Sequence, residues 1–481
     1  MARPHLSLLL CLAASMGCDV ATGLSDLTFD LPNGAGGGGG IGPTDLCSVS
    51  TAHHWSGQGS DVARGIHVDG GDVVVVGDFQ GAIDIGEIAL SAPSTDGFIA
   101  HIASDGAVGA IALGAGDAGA VRSVTSDGGS WLVTGNGPPT ACEGGDDHAF
   151  LAALQVPELA LGDCIATENA NGNMRLFDVA LAGGAAWLVG GSDNGVTLEE
   201  EVLGPGPFVA RVTVGDLAVE SAFSADDLVD TNLGRPAVAA RQGDSPYVAL
   251  VGDGNGIFDG SIPAPPSADD LSTFLVVSDA SPTGDTDVLA RIGGQGEQLP
   301  YDVAVAHDGG AVVVGSYQGR IDFSGDEEGS LTPAPRSQVV LGGFVAKYDA
   351  AGGLQWHALF DAPSTDDEVV SVAVASTGDV FVTGRLGPDH GVDEIECDRP
   401  LGSAPQLFVA RLDPDGSLVW LRHFGSTGTG TSSGQGIALS DDENRLWVAS
   451  TFAGTLDLGS ETLDSTSGAA DVLVLALPST L

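Results

Sequence analysis

One cassette recurs along the chain: an apolar, β-rich run that ends in Gly, a turn, a second apolar strand, and an Asp-Gly turn. Val73-Val74-Val75-Val76-Gly77-Asp78-Phe79 leads to Phe98-Ile99-Ala100-His101-Ile102 and then to Asp105-Gly106. Val312-Val313-Val314-Gly315 leads to Phe344-Val345-Ala346-Lys347-Tyr348, and Val380-Phe381-Val382-Thr383-Gly384 leads to Phe408-Val409-Ala410-Arg411-Leu412. Self-similarity at a fixed period implies stacked units that together bury faces none could bury alone. The composition agrees. Gly is abundant at 73 of 481 residues, short apolar runs are punctuated by Asp, Ser, Thr and Pro, and long helical periodicity is scarce. That is the pattern of an all-β chain with many tight turns.

The Gly that ends each apolar strand serves as a ruler. Gly77, Gly135, Gly190, Gly252, Gly315 and Gly384 mark six repeats, and Leu446-Trp447-Val448-Ala449 marks a seventh, ending at Ser450. The period is roughly 60 residues, a steady core with variable loops. Upstream of these strands lies another: Gly65-Ile66-His67-Val68, Asp178-Val179-Ala180-Leu181, Asp302-Val303-Ala304-Val305, Ser371-Val372-Ala373-Val374 and Gly436-Ile437-Ala438-Leu439. Each repeat thus offers about four strands, the number in a propeller blade.

The ends carry further information. Repeats five and six close with Leu354-Gln355-Trp356-His357 and Leu418-Val419-Trp420-Leu421, whereas the last stops at Asp471-Val472-Leu473-Val474-Leu475-Ala476-Leu477. The first begins with an extra strand, His53-His54-Trp55-Ser56. The expectation is an all-β, seven-bladed β-propeller of four-stranded blades, its ring closed by the N-terminal strand, which completes the last blade and removes an open edge. A count of six or eight would require a different parsing.

The repeats also resemble a family. Trp420 to Gly425, Asp413-Pro414-Asp415-Gly416, Gly81-Ala82-Ile83-Asp84-Ile85-Gly86, Gly319-Arg320-Ile321-Asp322-Phe323 and Gly454-Thr455-Leu456-Asp457-Leu458-Gly459 look like bacterial SBBP-type β-propeller repeats, common in predicted lipoproteins and secreted proteins of myxobacteria. The resemblance covers about residues 48–481 and is strongest in repeats one, five, six and seven. It implies a fold and an exported setting, and brings no shared reaction or catalytic residues.

Charge narrows the partners. With 16 Lys and Arg against 65 Asp and Glu, the formal net charge is −49. A phosphate backbone is repelled by such a surface, which argues against nucleic acid.

The N-terminus resembles an export signal: Arg3 and His5, then an apolar core from Leu6 to Ala14, too short to span a bilayer. Ser15-Met16-Gly17-Cys18 resembles a lipobox, with Cys18 as the lipidated residue, although Ser15 stands where Leu is usual; ordinary cleavage and release is the alternative. The expected division is a signal peptide over 1–17, a lipidated Cys and Gly-rich tether over 18–46, and the propeller over 47–481. The expected place is the outer membrane or cell surface as a lipoprotein, or else outside the cell, with the membrane reached only through the anchor.

Cys47, Cys142, Cys164 and Cys397 remain after the signal, and four cysteines allow three pairings. Cys142 with Cys164 is favoured by closeness in the chain, which leaves Cys47 with Cys397.

Sites of chemistry are sparse. Asp253, Asn255 and Asp259 resemble the opening of a calcium loop, but Phe258 and Ala264 stand where an EF-hand needs Gly and Glu. No cofactor is expected, with calcium as the one alternative. Asp366-Asp367-Glu368 and Asp441-Asp442-Glu443-Asn444 read as solvated turns. Cys142, Glu143, Asp146, Asp147 and His148 form the densest ligand-type group and read first as a disulfide-bearing loop. No nucleophile elbow is present. Trp131, Trp187 and Trp447, with Phe98, Phe208, Phe344 and Phe408, read as inter-blade core.

The leading functional expectation is a monomeric, non-catalytic module that recognises a protein or glycan at the cell surface. Its candidate recognition loops are Asp253–Thr273, Gly325–Gly342 and Gly387–Pro405. A structural envelope component comes next, then a hydrolase or lyase with its site at a central channel, which would be marked by charged or His side chains converging at one channel mouth.

Overall fold

A computed structural model describes residues 49–114, 119–137, 139, 142, 148–168, 174–224, 235–241, 244–252, 271–277, 287–324, 341–360, 366–387, 404–425, 430–459 and 461–480. The described chain is all-β, with a single 3-10 turn at Thr466–Gly468. No helix is long and apolar enough to cross a membrane among the described residues.

Antiparallel four-strand meanders follow one another. The first runs Val62–Asp69, Asp72–Ile85, Ile88–Ile102 and Val108–Ala112. Gly70 and Gly71, both at positive φ, make the two-residue turn between its first two strands. The second sheet begins at Ala120–Ser126, the third at Met174–Ala182, the fourth at Ala237–Arg241, the fifth at Gln298–Val305, the sixth at Glu368–Val374 and the last at Thr431–Leu439. The last sheet takes its fourth strand from the other end of the chain: Thr51–Gly57 pairs with Ala470–Pro478, in a register that places Thr51 opposite Ala476 and Trp55 opposite Val472.

The four-strand rule holds strictly in three sheets only. Elsewhere the outer edges are extended. Thr51–Gly57 also pairs with Asp72–Ile85 through Ser56↔Asp84, Arg320–Asp322 adds to Asp287–Gln295, and the Val196–Leu198/Glu201–Leu203 hairpin adds to Ala160–Glu168. These additions cover exposed edge groups, which would otherwise recruit other chains.

First strands touch one another in sequence. Val62–Asp69 contacts Ala120–Ser126, each later first strand contacts the next, and Thr431–Leu439 contacts Val62–Asp69. The core lies between adjacent sheets. Ile66, Val75 and Phe98 of the first sheet pack with Ala438, Trp447 and Val474 of the last, and Trp55 meets Phe98 edge-on at 6.1 Å. A strand sandwiched between two neighbours is buried on both faces, which is why Val73, Val74, Val75 and Val76 form an unbroken apolar run, each at most 1% exposed. The outer strand Leu354–Phe360 has water on one side and begins with alternating burial.

The anchor glycines have a steric cause. Gly77 lies opposite Phe98 in the ladder, and a Cβ there would sit 2.6 Å from the Phe98 ring and collide with the Val62 carbonyl. The same pairing joins Gly135 to Phe150, Gly190 to Phe208, Gly315 to Phe344 and Gly384 to Phe408. In the fourth sheet the residue opposite Phe274 is Leu250, not Gly252, which pairs with Ser272. The ruler therefore slips by two residues there, because Leu250 fills the space that glycine leaves to the phenyl ring elsewhere. In the last sheet Ser450 pairs with Leu473, and with no aromatic ring opposite a small side chain fits.

Candidate functional site

Six of the first strands carry a β-bulge at equivalent places. The register shifts between Ala63 and Gly65, Val121 and Ser123, Leu176 and Asp178, Pro300 and Asp302, Val369 and Ser371, and Gly434 and Gly436. A bulge leaves one residue unpaired and re-aims its side chain. Those residues are Arg64, Arg122, Phe177, Tyr301, Val370 and Gln435, and all six line one central cavity of about 240 Å³. The fourth sheet, whose bulge falls later, between Ala239 and Arg241, contributes Arg235 and Pro236 to the same cavity.

Three arginines thus line the same cavity. Arg64 Nε lies 2.5 Å from Asp78 Oδ1. Arg122 Nε donates to Asn136 Oδ1 at 2.7 Å, and Asn136 in turn donates its amide to the Met174 carbonyl. Arg235 Nη2 donates to Gln435 Oε1 at 3.1 Å, with its guanidinium 6.0 Å from the Tyr301 ring centre. Burial, then the charges of Arg64 and Arg175, pull Arg122 down to about 10. Burial and Arg64 lower Arg235 as well. Both stay cationic at neutral pH. Tyr301 is pushed up to about 12 by burial and by Glu368, to which its hydroxyl donates at 3.3 Å.

Next after the bulge in four first strands come Ser123, Asp178, Asp302 and Ser371, which suture the sheets together. Asp178 accepts the Ser123 hydroxyl at 2.6 Å from the second sheet and the Val238 N–H at 2.9 Å from the fourth. Asp302 accepts the Ser371 hydroxyl at 2.8 Å and the Val372 N–H at 2.9 Å from the sixth. Ser371 Oγ accepts the Ile437 N–H at 3.3 Å from the last. Burial, followed by the Asp178 carboxylate, raises Asp302 to about 7. Each of these hydroxyls donates to a carboxylate, so neither serine has a histidine as its base. His67, which also lines the cavity, meets Trp131 edge-on at 5.7 Å.

The residues singled out from sequence fall elsewhere. Asp253, Asn255, Asp259, Cys18, Cys47, Cys397, Glu143, Asp146 and Asp147 lie outside the described residues, as do 253–270, 325–340 and 388–403 of the three candidate loops. Thr273 and Gly342, expected as loop ends, are buried strand residues. Cys142 and Cys164 form a disulfide with their Cα atoms 5.5 Å apart, and His148 Nδ1 approaches the Thr167 carbonyl. No group of three or more His, Cys, Asp or Glu side chains suits a metal ion among the described residues.

One acidic run departs from expectation. Asp366 is exposed, but Asp367 is fully buried and accepts the Gly387 N–H at 2.7 Å, while Glu368 opens a strand and pairs with Arg385 at 3.0 Å. The run enters a sheet and is not a solvated turn. Asp441–Asn444 is the exposed turn expected, with Asp442 accepting the Ser440 hydroxyl at 2.7 Å. Trp131, Trp187 and Trp447 and the four named phenylalanines are buried core.

Sequence reading did not gather Arg64, Arg122 and Arg235, which lie far apart in the chain. Their signal was cation scarcity: in a chain with 16 Lys and Arg, three fall just before the apolar part of a first strand.

No family model and no curated protein matches the sequence. Solved structures similar to the chain include the Dos1 propeller, at 7% identity and a TM-score of 0.43, covering 88% of this chain and 94% of that one. The β-propeller domain of the Trilobed protease from Pyrococcus furiosus, which has an open velcro topology, is similar at 8% identity and a TM-score of 0.43, covering 88% and 96%. BamB from Moraxella catarrhalis is similar at 10% identity and a TM-score of 0.36, covering 88% and 99%.

Proposed function

We propose that the chain is a seven-bladed β-propeller of the SBBP-repeat type that acts as a non-catalytic recognition module on the outside of a bacterial cell. The pairing of Thr51–Gly57 with Ala470–Pro478, and the contact of Thr431–Leu439 with Val62–Asp69, support a ring closed by the N-terminal strand. An anchor at Cys18, with 19–46 as a Gly-rich tether, would carry this head away from the membrane.

The observation that carries the functional reading is that Arg64, Arg122 and Arg235 line one cavity in a chain of net charge −49. Converging charge was the mark expected of an enzyme. Here, though, the cations are arginines, too basic for proton transfer at neutral pH, and the adjacent Ser123 and Ser371 donate to structural carboxylates. Binding fits this chemistry better than turnover. In the test, full-length protein is used to capture partners from envelope extracts and from a glycan array, with the Arg122→Gln variant in parallel. A saturable partner that is weakened by the variant supports the module. No partner in either format, or turnover of a chromogenic ester or glycoside panel, refutes it.

A further inference from the structure

We propose that the arginines lining the central cavity form a receptor for one small oxyanion, a carboxylate or a phosphate; this rests on the recognition reading above and names its ligand chemistry.

The case comes from comparing these cations with the others in the molecule. Four cations elsewhere each face a carboxylate, Arg411 with Asp379 at 3.0 Å, Arg385 with Glu368 at 3.0 Å, Arg211 with Glu220 at 2.9 Å and Lys347 with Asp308 at 2.8 Å, while Arg241 donates to the Ser245 carbonyl and Arg291 to the Ser272 hydroxyl. Of the three arginines that line the cavity, Arg64 pairs directly with a carboxylate, that of Asp78. Arg122 and Arg235 are held by the amide oxygens of Asn136 and Gln435, which orient a guanidinium without cancelling its charge. With 65 Asp and Glu in the chain, acids are plentiful, yet amides occupy these two positions.

Like charges are also pressed together. Burial, then Arg64 and Arg175, disfavour the charged form of Arg122, with Asp78 acting the other way; burial and Arg64 disfavour that of Arg235, with Glu368 and Asp302 acting the other way. Such a cluster costs free energy until an anion enters, and guanidinium forks match the planar oxygens of carboxylate and the oxygens of phosphate. The two acids in the adjoining layer are engaged with the sheets, although Asp302 also favours the charged form of Arg235. Asp178 accepts from Ser123, Val179 and Val238, and Asp302 from Val303, Ser371 and Val372. The cavity of about 240 Å³ suits a small molecule or a single terminal group.

The test is isothermal titration calorimetry on the full chain at constant ionic strength, about 0.15 M, so that screening is equal in every arm. Three probes separate the sources: inorganic phosphate, N-acetylglycine as a chain-terminal carboxylate, and glucuronate as a sugar carboxylate. At least one should bind saturably at one site per chain. Arg122→Gln and Arg235→Gln should each weaken it by about tenfold or more, while the urea midpoint holds or rises because a repelling charge is gone. Gln435→Glu keeps every arginine and gives Arg235 an internal counter-ion, so it should weaken binding in a fully folded protein.

No heat above a chloride control for any probe, or undiminished binding in all three variants, overturns the receptor. An envelope partner retained by Arg122→Gln and Arg235→Gln would also overturn it while leaving the recognition reading standing. Anion binding without any envelope partner would do the reverse.

Discussion

His54 Nε2 lies 2.8 Å from Asp471 Oδ2, a hydrogen bond between groups 417 residues apart that fastens the first described strand to the last. Asp471 also accepts the Thr466 N–H at 2.8 Å, and one residue along from His54, Trp55 is buried against Phe98. Hydrogen bonds to charged groups contribute about 1.5–3 kcal/mol, and truncating a buried Trp costs about 3–5 kcal/mol. His54→Ala and Trp55→Ala should lower the unfolding free energy in urea by those amounts, with Trp55→Ala the worse. A loss under about 0.5 kcal/mol in both would mean that this strand does not secure the fold.

Gly77→Ala should be among the most damaging one-carbon changes in the chain, since the new methyl meets both the Phe98 ring and the Val62 carbonyl. Overpacking of this kind costs about 1–3 kcal/mol or more. Gly129 has nothing within 4 Å of an added Cβ, so Gly129→Ala should be near neutral in the same denaturation series.

Stability should fall as pH rises through neutrality. Asp61 is fully buried and raised to about 7, first by burial and then by the charges of Asp471 and Asp78; Asp302 is raised to about 7 by burial and Asp178. A carboxyl whose folded value lies above its unfolded value near 4 binds protons more tightly when folded. Its stabilisation is complete below about pH 4 and disappears as pH climbs past about 7. Asp61→Asn should flatten that decline and leave the protein more stable than the parent at pH 8, as read from urea midpoints across pH 4–8.

Reduction of Cys142–Cys164, separated by 22 residues, should lower stability by about 3 kcal/mol on the chain-entropy account. The double variant Cys142→Ser/Cys164→Ser, compared with the parent with and without reductant, checks this: the parent should lose stability on reduction and the variant should not respond.

The scaffold was readable because its physics is local. Val73–Val76 is apolar on both faces because two sheets enclose it, and Gly77 is small because a phenyl ring needs the space; both leave a mark within a few residues. Leu250 broke the pattern because a different side chain met the same ring, and nothing local announces that substitution. Asp367 looked like a turn acid and is buried, since its partner Gly387 comes 20 residues later. The arginine site was the least readable part. Arg64 and Arg122 owe their direction to bulges, and a bulge is a relation between two strands that no single stretch of sequence displays.

That same bulge separates two jobs that most strands must combine. The residues on either side of each inserted position stay in the ladder and hold the sheet, while the inserted one lines the cavity and is tied back by side-chain bonds alone, as in Arg64–Asp78, Arg122–Asn136 and Tyr301–Glu368. Arg64, Arg122, Tyr301, Val370 and Gln435 therefore stand outside the strand pairing that holds each sheet. A repeat built this way works like a keyboard around a socket, where each unit sets one key and the frame beneath it is held by other residues.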